Sequence, residues 1–229
     1  MTTAEGWTAA VRARLAPGRL LPLGAPEDGA WITERAARTV LDGAAAAVRG
    51  AVPGELRIRP DTEAGPDTGT EGGPDTGTDA GPAEGALRIS AGFGAIAGRP
   101  LPEIAAELRA ALLAAAEDGL GLVVAAVDLR VTELLDAAPE NSGPTTPPPG
   151  RPSPATDDPA ALAALRVEGV AGVTDAVGPP VRRGSDGVRV EIAVTAGHRP
   201  LDVARAARNA VTAAAPEATA VTVLVSELR

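Results

Sequence analysis

The sequence predicts an α+β protein of two tandem small units, each in helix-strand-strand-helix-strand order with a three-stranded mixed sheet covered by its helices. Three observations carry this. Two runs alternate at period two: Leu87, Ile89, Ala91 and Phe93 against Arg88 and Ser90, and Val188, Val190, Ile192 and Val194 against Arg189, Glu191, Ala193 and Thr195. Each run leads through a small-residue turn into the same tripeptide, Arg99-Pro100-Leu101 or Arg199-Pro200-Leu201, and then into an Ala-rich helical pattern. Each half closes on a second apolar run, ending Val131-Thr132-Glu133-Leu134 or Val225-Ser226-Glu227-Leu228. Such self-similarity marks repeated architecture. Equating the two tripeptides aligns the halves: Pro100 and Pro200 set the helix starts, Leu101 and Leu201 begin the buried stripes, and His198 reads as a one-residue loop insertion.

In chain order, residues 1–28 form an N-terminal arm. Trp7, Val11 and Leu15 share one face of a short amphipathic helix, Pro17-Gly18 stop it, and Leu20, Leu21 and Leu23 follow as an apolar tail. The first unit spans 29–135. Thr33 caps a helix with Ala37, Val40, Leu41, Ala44 and Val48 inward, ending near Gly50. Residues 56–58 make a short strand. Residues 60–86 turn to Gly, Pro, Asp and Thr and repeat internally, an acidic loop insertion with too little apolar surface to offset its ordering entropy. After the strand at 87–93, Ile104, Leu108, Leu112 and Ala115 mark a helix stripe, Gly119 and Gly121 end it, and 122–131 is a long strand.

Residues 136–158, with Pro147-Pro148-Pro149, are a Pro-rich linker. The second unit, 159–229, restates the first: a short helix at 160–167, a strand running toward Pro179-Pro180, a hairpin at Asp186-Gly187, and the alternating strand. A helix follows with Leu201, Ala204, Ala207 and Val211 inward, and residues 219–225 close the unit. A right-handed helical crossover between the last two strands of a unit makes them parallel where adjacent.

Composition narrows the function. The core rests on Ala, Val and Leu, since the aromatics are Trp7, Trp31 and Phe93 alone. No cysteine is present, so neither disulfides nor thiolate metal sites are available. No apolar run reaches the roughly 18 residues of a membrane span, so a cytoplasmic location without a direct transmembrane segment is expected. The net charge of −9 is concentrated in the insertion, whose seven acids lie between Arg59 and Arg88; setting them aside leaves 21 basic against 23 acidic residues. That balance gives no basis for a nucleic-acid partner.

Certain elements resemble the alkaline-shock-protein, Gls-type envelope stress response family: Val167-Glu168-Gly169-Val170, the stretch 188–197 with 200–211, and 221–228 in the second half. In the first half they are Trp31-Ile32-Thr33-Glu34, Val48-Arg49-Gly50-Ala51-Val52, 87–112 and 127–134. The resemblance implies a cytoplasmic, non-enzymatic protein of a kind of which some members gather at the membrane through a membrane-embedded partner, and it supplies no catalytic residues.

The residue inventory agrees. General acid/base chemistry draws most often on His, and the chain has one, His198, in a turn. No Gly-rich phosphate loop follows a strand. Catalytic, cofactor-binding and metal residues are therefore expected to be absent, and no cofactor is implied. Arg99, Arg199 and His198 stand as binding candidates because they sit at helix starts. The expected activity is interaction: an edge strand pairing with its tandem copy, another subunit or a protein partner. The alternative is a small-ligand regulatory module with its effector between the two units.

Overall fold

The computed structural model describes residues 18–61, 86–137, 153–185 and 187–229. The expected arm helix, most of the acidic insertion and most of the Pro-rich linker lie outside the described residues.

The chain begins with a hairpin of β1 (Leu20–Pro22) and β2 (Ala30–Thr33), joined through a 3-10 turn at Pro26–Asp28. Thr33 then caps α1 (Glu34–Ala46), its Oγ1 accepting the Ala36 N–H at 3.3 Å. β3 (Ala51–Pro60) and β4 (Leu87–Ile96) pair antiparallel. α2 (Leu101–Ala114) runs on through a π turn, Ala115–Leu120, and leads to β5 (Val124–Leu135), parallel to β4. The second half has α3 (Pro159–Leu165), β6 (Val170–Val173), β7 (Val181–Gly184), β8 (Gly187–Val194), α4 (Pro200–Ala214) and β9 (Val221–Leu228), three strands between its helices where the first half has two. β6 and β7 both lie antiparallel to β8, and β9 runs parallel to it. In each half the strand before the second helix runs parallel to the strand after it, the second half has one strand more before that helix, and the fold is α+β.

The first sheet has three strands, β3-β4-β5. The second departs from expectation, with six: β1-β2-β9-β8-β6 in order, and β7 also on β8. β2, expected inside the first unit, pairs parallel with β9, setting Ala30, Trp31 and Ile32 against Val223, Leu224 and Val225. Leu20, expected as part of an apolar tail, lies in β1, and Leu21 and Leu23 are buried. β9 offers a free backbone edge to β2, with Val223 N–H donating to the Gly29 carbonyl at 2.9 Å, and the pairing lets Leu21, Leu23 and Ile32 bury in the shared core. The expected strand toward Pro179-Pro180 also stops early, at Val173, and a loop intervenes before β7.

The equation of the two Arg-Pro-Leu tripeptides is corrected by one residue. The carbonyls of Gly50 and Gly169, both at positive φ, accept Ile96 N–H at 2.9 Å and Thr195 N–H at 2.8 Å. Two residues past Ile96 and Thr195 stand Gly98 and Gly197, again at positive φ, and two further stand the helix caps, Pro100 and Arg199. Arg99 therefore matches His198, and Pro100 matches Arg199, with no insertion. The stripes agree: Ile104, Leu108 and Leu112 fall on Val203, Ala207 and Val211, all buried. Leu101 begins no stripe, being 38% exposed where Leu201 is 4% exposed. Core-facing side chains fix helix register, and a proline fits both a cap and a first-turn position.

The halves share one continuous hydrophobic cluster running from Leu21 through Leu41, Phe93 and Leu112 to Val190 and Val225. Leu201 marks the seam. A β-carbon built on Gly121 would lie 2.5 Å from Leu201 Cβ, one on Gly24 would lie 2.7 Å from Leu201 Cδ1, and Gly24 N–H donates to the Gly121 carbonyl at 2.9 Å. Hairpin, first half and second half meet where two glycines leave room for one leucine.

Candidate functional site

Two features of this fold are open to a ligand or partner: a cleft between the halves and the outer edge of β5.

The cleft, walled by residues of both halves, has a volume of about 780 Å³. Thr39 and Val40 of α1 and Leu120 of the π turn form one wall; His198, Arg199 and Pro200 at the start of α4 form another. Arg199 spans the seam, its Nη2 donating to the Glu117 carbonyl at 2.8 Å while Nη1 sits 3.4 Å from Asp202 Oδ1. Its Nε is buried and makes no hydrogen bond. His198 is exposed, with its ring edge against Gly169. Arg229, also on the cleft, is paired with Glu227 at 2.8 Å. Thus two of the three binding candidates, Arg199 and His198, come together here.

Arg99 does not join them. Its guanidinium makes two hydrogen bonds to Glu107, of 3.0 and 2.6 Å, and a third to the Arg49 carbonyl at 2.9 Å. The hydrogen bond from Arg99 holds the Glu107 carboxyl below its ordinary range. Arg99 thereby ties the start of α2 to the turn before β3, a fastening role that uses three of its five donors.

The edge of β5 is the more exposed feature. β4 flanks it on one side, and among the described residues no strand lies on the other. Leu134 is 72% exposed and Val131 41%. β9, which holds the matching place in the other sheet, has that same edge covered by β2. The hairpin that covers it is fastened from α4, where Arg205 donates Nε and Nη2 to the two Asp28 oxygens, each at 2.8 Å. That hydrogen bonding holds the Asp28 carboxyl below its ordinary value, against the opposing effect of burial.

No family model, curated protein or solved structure matches this chain.

Sequence reasoning did not single out a buried polar cluster on the far face of the six-stranded sheet. Glu191 is 0% exposed. Its carboxylate accepts the Thr174 hydroxyl at 2.8 Å, Ala176 N–H at 2.7 Å and Val177 N–H at 3.2 Å. Thr174 Oγ1 lies 2.5 Å from Ser226 Oγ, and Thr33 Oγ1 donates to the Ser226 carbonyl at 3.0 Å. In the sequence Glu191 is one more polar residue of an alternating strand; what encloses it is the loop from Thr174 to Pro180. The Ser-Thr-Glu chain is buried, and its carboxylate accepts from the start of the loop, so the cluster organises the loop. Among the described residues no group of three or more His, Cys, Asp or Glu is placed to hold a metal ion. No helix among them is long and apolar enough to cross a membrane.

Proposed function

We propose that this chain is a non-enzymatic interaction protein of the envelope stress-response type, working through the outer edge of β5 by self-association or by binding a protein partner, a membrane-embedded one included. The observation that carries the reading is the asymmetry between the sheets: β9 has its edge covered by β2, whereas β5, a 12-residue strand with exposed Val131 and Leu134, has no strand beside it among the described residues. An uncovered strand presents N–H and C=O groups to which another strand adds, with side-chain pockets supplying the selectivity; on β5 the Val127 carbonyl takes a 3.4 Å hydrogen bond from Arg109 Nε, which an added strand would have to displace or share. The resemblance of the Gly-containing turns and strand ends to the alkaline-shock, Gls-type family supports a cytoplasmic location, peripheral at the membrane through the partner.

The experiment places lysines on the edge, since charge there blocks strand addition. Val131→Lys combined with Leu134→Lys is expected to remove the crosslinked complexes the native protein forms in cells while its melting temperature holds, both side chains being exposed. Complexes that persist in the double variant, or a native protein that forms none, sink the reading.

A second reading, a small-ligand regulatory module, is favoured by the cleft that brings Arg199 and His198 together between the halves. Screening small carboxylates and phosphates by thermal shift tests it. Stabilisation that disappears in Arg199→Ala supports the module, and a flat response across the panel removes it.

A further inference from the structure

Resting on the reading of β5 as the working edge, we infer that two copies of this chain pair antiparallel through β5, in the register that sets Leu129 opposite Leu129 of the second copy. Residues 126–131 of β5 run without a register shift beside residues 88–93 of β4. Val127, Leu129 and Val131 share the face of buried Ile89, Ala91 and Phe93; Ala126, Asp128 and Arg130 share the face of Arg88, Ser90 and Gly92. Residues directly opposed across an antiparallel pair lie on one face of the sheet, so a twofold pairing sets apolar against apolar and polar against polar.

Charge then favours one register, because only a twofold at Leu129 sets Asp128 opposite Arg130. Centring the twofold on Leu129 places Val127 opposite Val131 and Asp128 opposite Arg130, each pair occurring twice. Centring it on Asp128 or Arg130 sets like charges face to face, which is destabilising. Arg130 has no ion-pair partner among the described residues, while Asp128 already takes Arg88 Nη1 at 2.8 Å. Pairing supplies the missing acid to Arg130 and extends a ladder of alternating charge, Arg88 to Asp128 to the second copy's Arg130. The result is one sheet in the order β3-β4-β5-β5-β4-β3, closed by its twofold, in which both uncovered β5 edges are used. It also gives β5 what β9 already has, a covering strand drawn from this same sequence.

The absence of cysteine makes the register directly readable. Leu129→Cys in the full chain should yield a disulfide-linked dimer on mild oxidation, whereas Ala126→Cys should not, because Ala126 faces Thr132. Arg130→Asp, at an exposed position, should raise the dimer dissociation constant by about tenfold or more in sedimentation equilibrium, two opposite-charge pairs having become like-charge pairs. It should leave the melting temperature of the monomer unchanged. A native chain that stays monomeric, or a dimer indifferent to Arg130→Asp and uncrosslinked through residue 129, overturns the pairing. A monomer whose cellular complexes still vanish in the Val131→Lys, Leu134→Lys variant overturns the self-pairing and keeps β5 as an edge for another protein; a monomer with no such complexes overturns both.

Discussion

Gly121→Ala is expected to lower stability by about 3 kcal/mol, the sum of a left-handed backbone forced on a residue with a β-carbon and of overpacking against Leu201. Gly121 has φ 92°, and its added carbon would lie 2.5 Å from Leu201 Cβ and 2.6 Å from Cδ2. The Cβ contact cannot be relieved by rotating the leucine, so the two halves must part at the point where the hairpin also meets them. Gly98→Ala is the matched control: its φ is 103°, yet nothing lies within 4 Å of the added carbon, so it carries the backbone cost alone. Thermal melts of the two variants should therefore differ by several degrees, at about 2–4 °C per kcal/mol for a chain of this size. Equal melting temperatures would mean that the seam yields freely and that Leu201 does not hold the halves together.

Glu191→Ala is expected to cost about 3 kcal/mol as well, through unsatisfied donors instead of a clash. The carboxylate satisfies the Thr174 hydroxyl and two backbone N–H groups at the start of the loop that covers it. Its removal leaves the two partly buried N–H groups without this acceptor, each unsatisfied group carrying a penalty of about 1–3 kcal/mol unless water enters, while the Thr174 hydroxyl keeps Ser226 Oγ as its neighbour. Glu191→Gln keeps the accepting Oε1 and should lose about half as much. Hydrogen exchange should quicken at Ala176 and Val177 in the alanine variant and remain near native in the glutamine one. Unchanged exchange at both amides in Glu191→Ala would show that the loop is held by its own backbone.

The parts of the fold legible in the sequence are those whose cause is local. Alternation in residues 87–93 and 188–194 reports a sheet with one face packed, and those strands form. Thr33 before a helical stripe reports a cap, and the cap hydrogen bond is present. The parallel pairs β4-β5 and β8-β9 follow from strands joined by a helical crossover. What stayed hidden depends on distant partners. Leu20, Leu21 and Leu23 carry no mark of which sheet they join, because β2 finds β9 through a complementary edge at the other end of the sequence. The matching tripeptides misled because identity of letters competed with the position of core-facing side chains, which place Arg99 on His198. The candidate site was legible in the same uneven way: Arg199 and His198 were visible as residues at a helix start, but the cleft they line exists because Glu117 and Leu120 arrive from the other half. Glu191 was unreadable as special because burial of a strand's second face is decided by a loop, and the loop's path is not written in the strand.

The pairing of β2 with β9 also sets an order of events during synthesis. Thr33 and Ser226, hydrogen-bonded in the finished sheet, are separated by 193 positions in the chain. At roughly 5–20 residues per second, on the order of 10–40 s pass between the emergence of the hairpin and that of its partner strand. During that interval the three strands of the first sheet can assemble from neighbouring segments, while Leu21, Leu23 and Ile32 wait with their apolar face unsheltered. The hairpin thus stays open to wrong partners until β9 is made and ends the exposure.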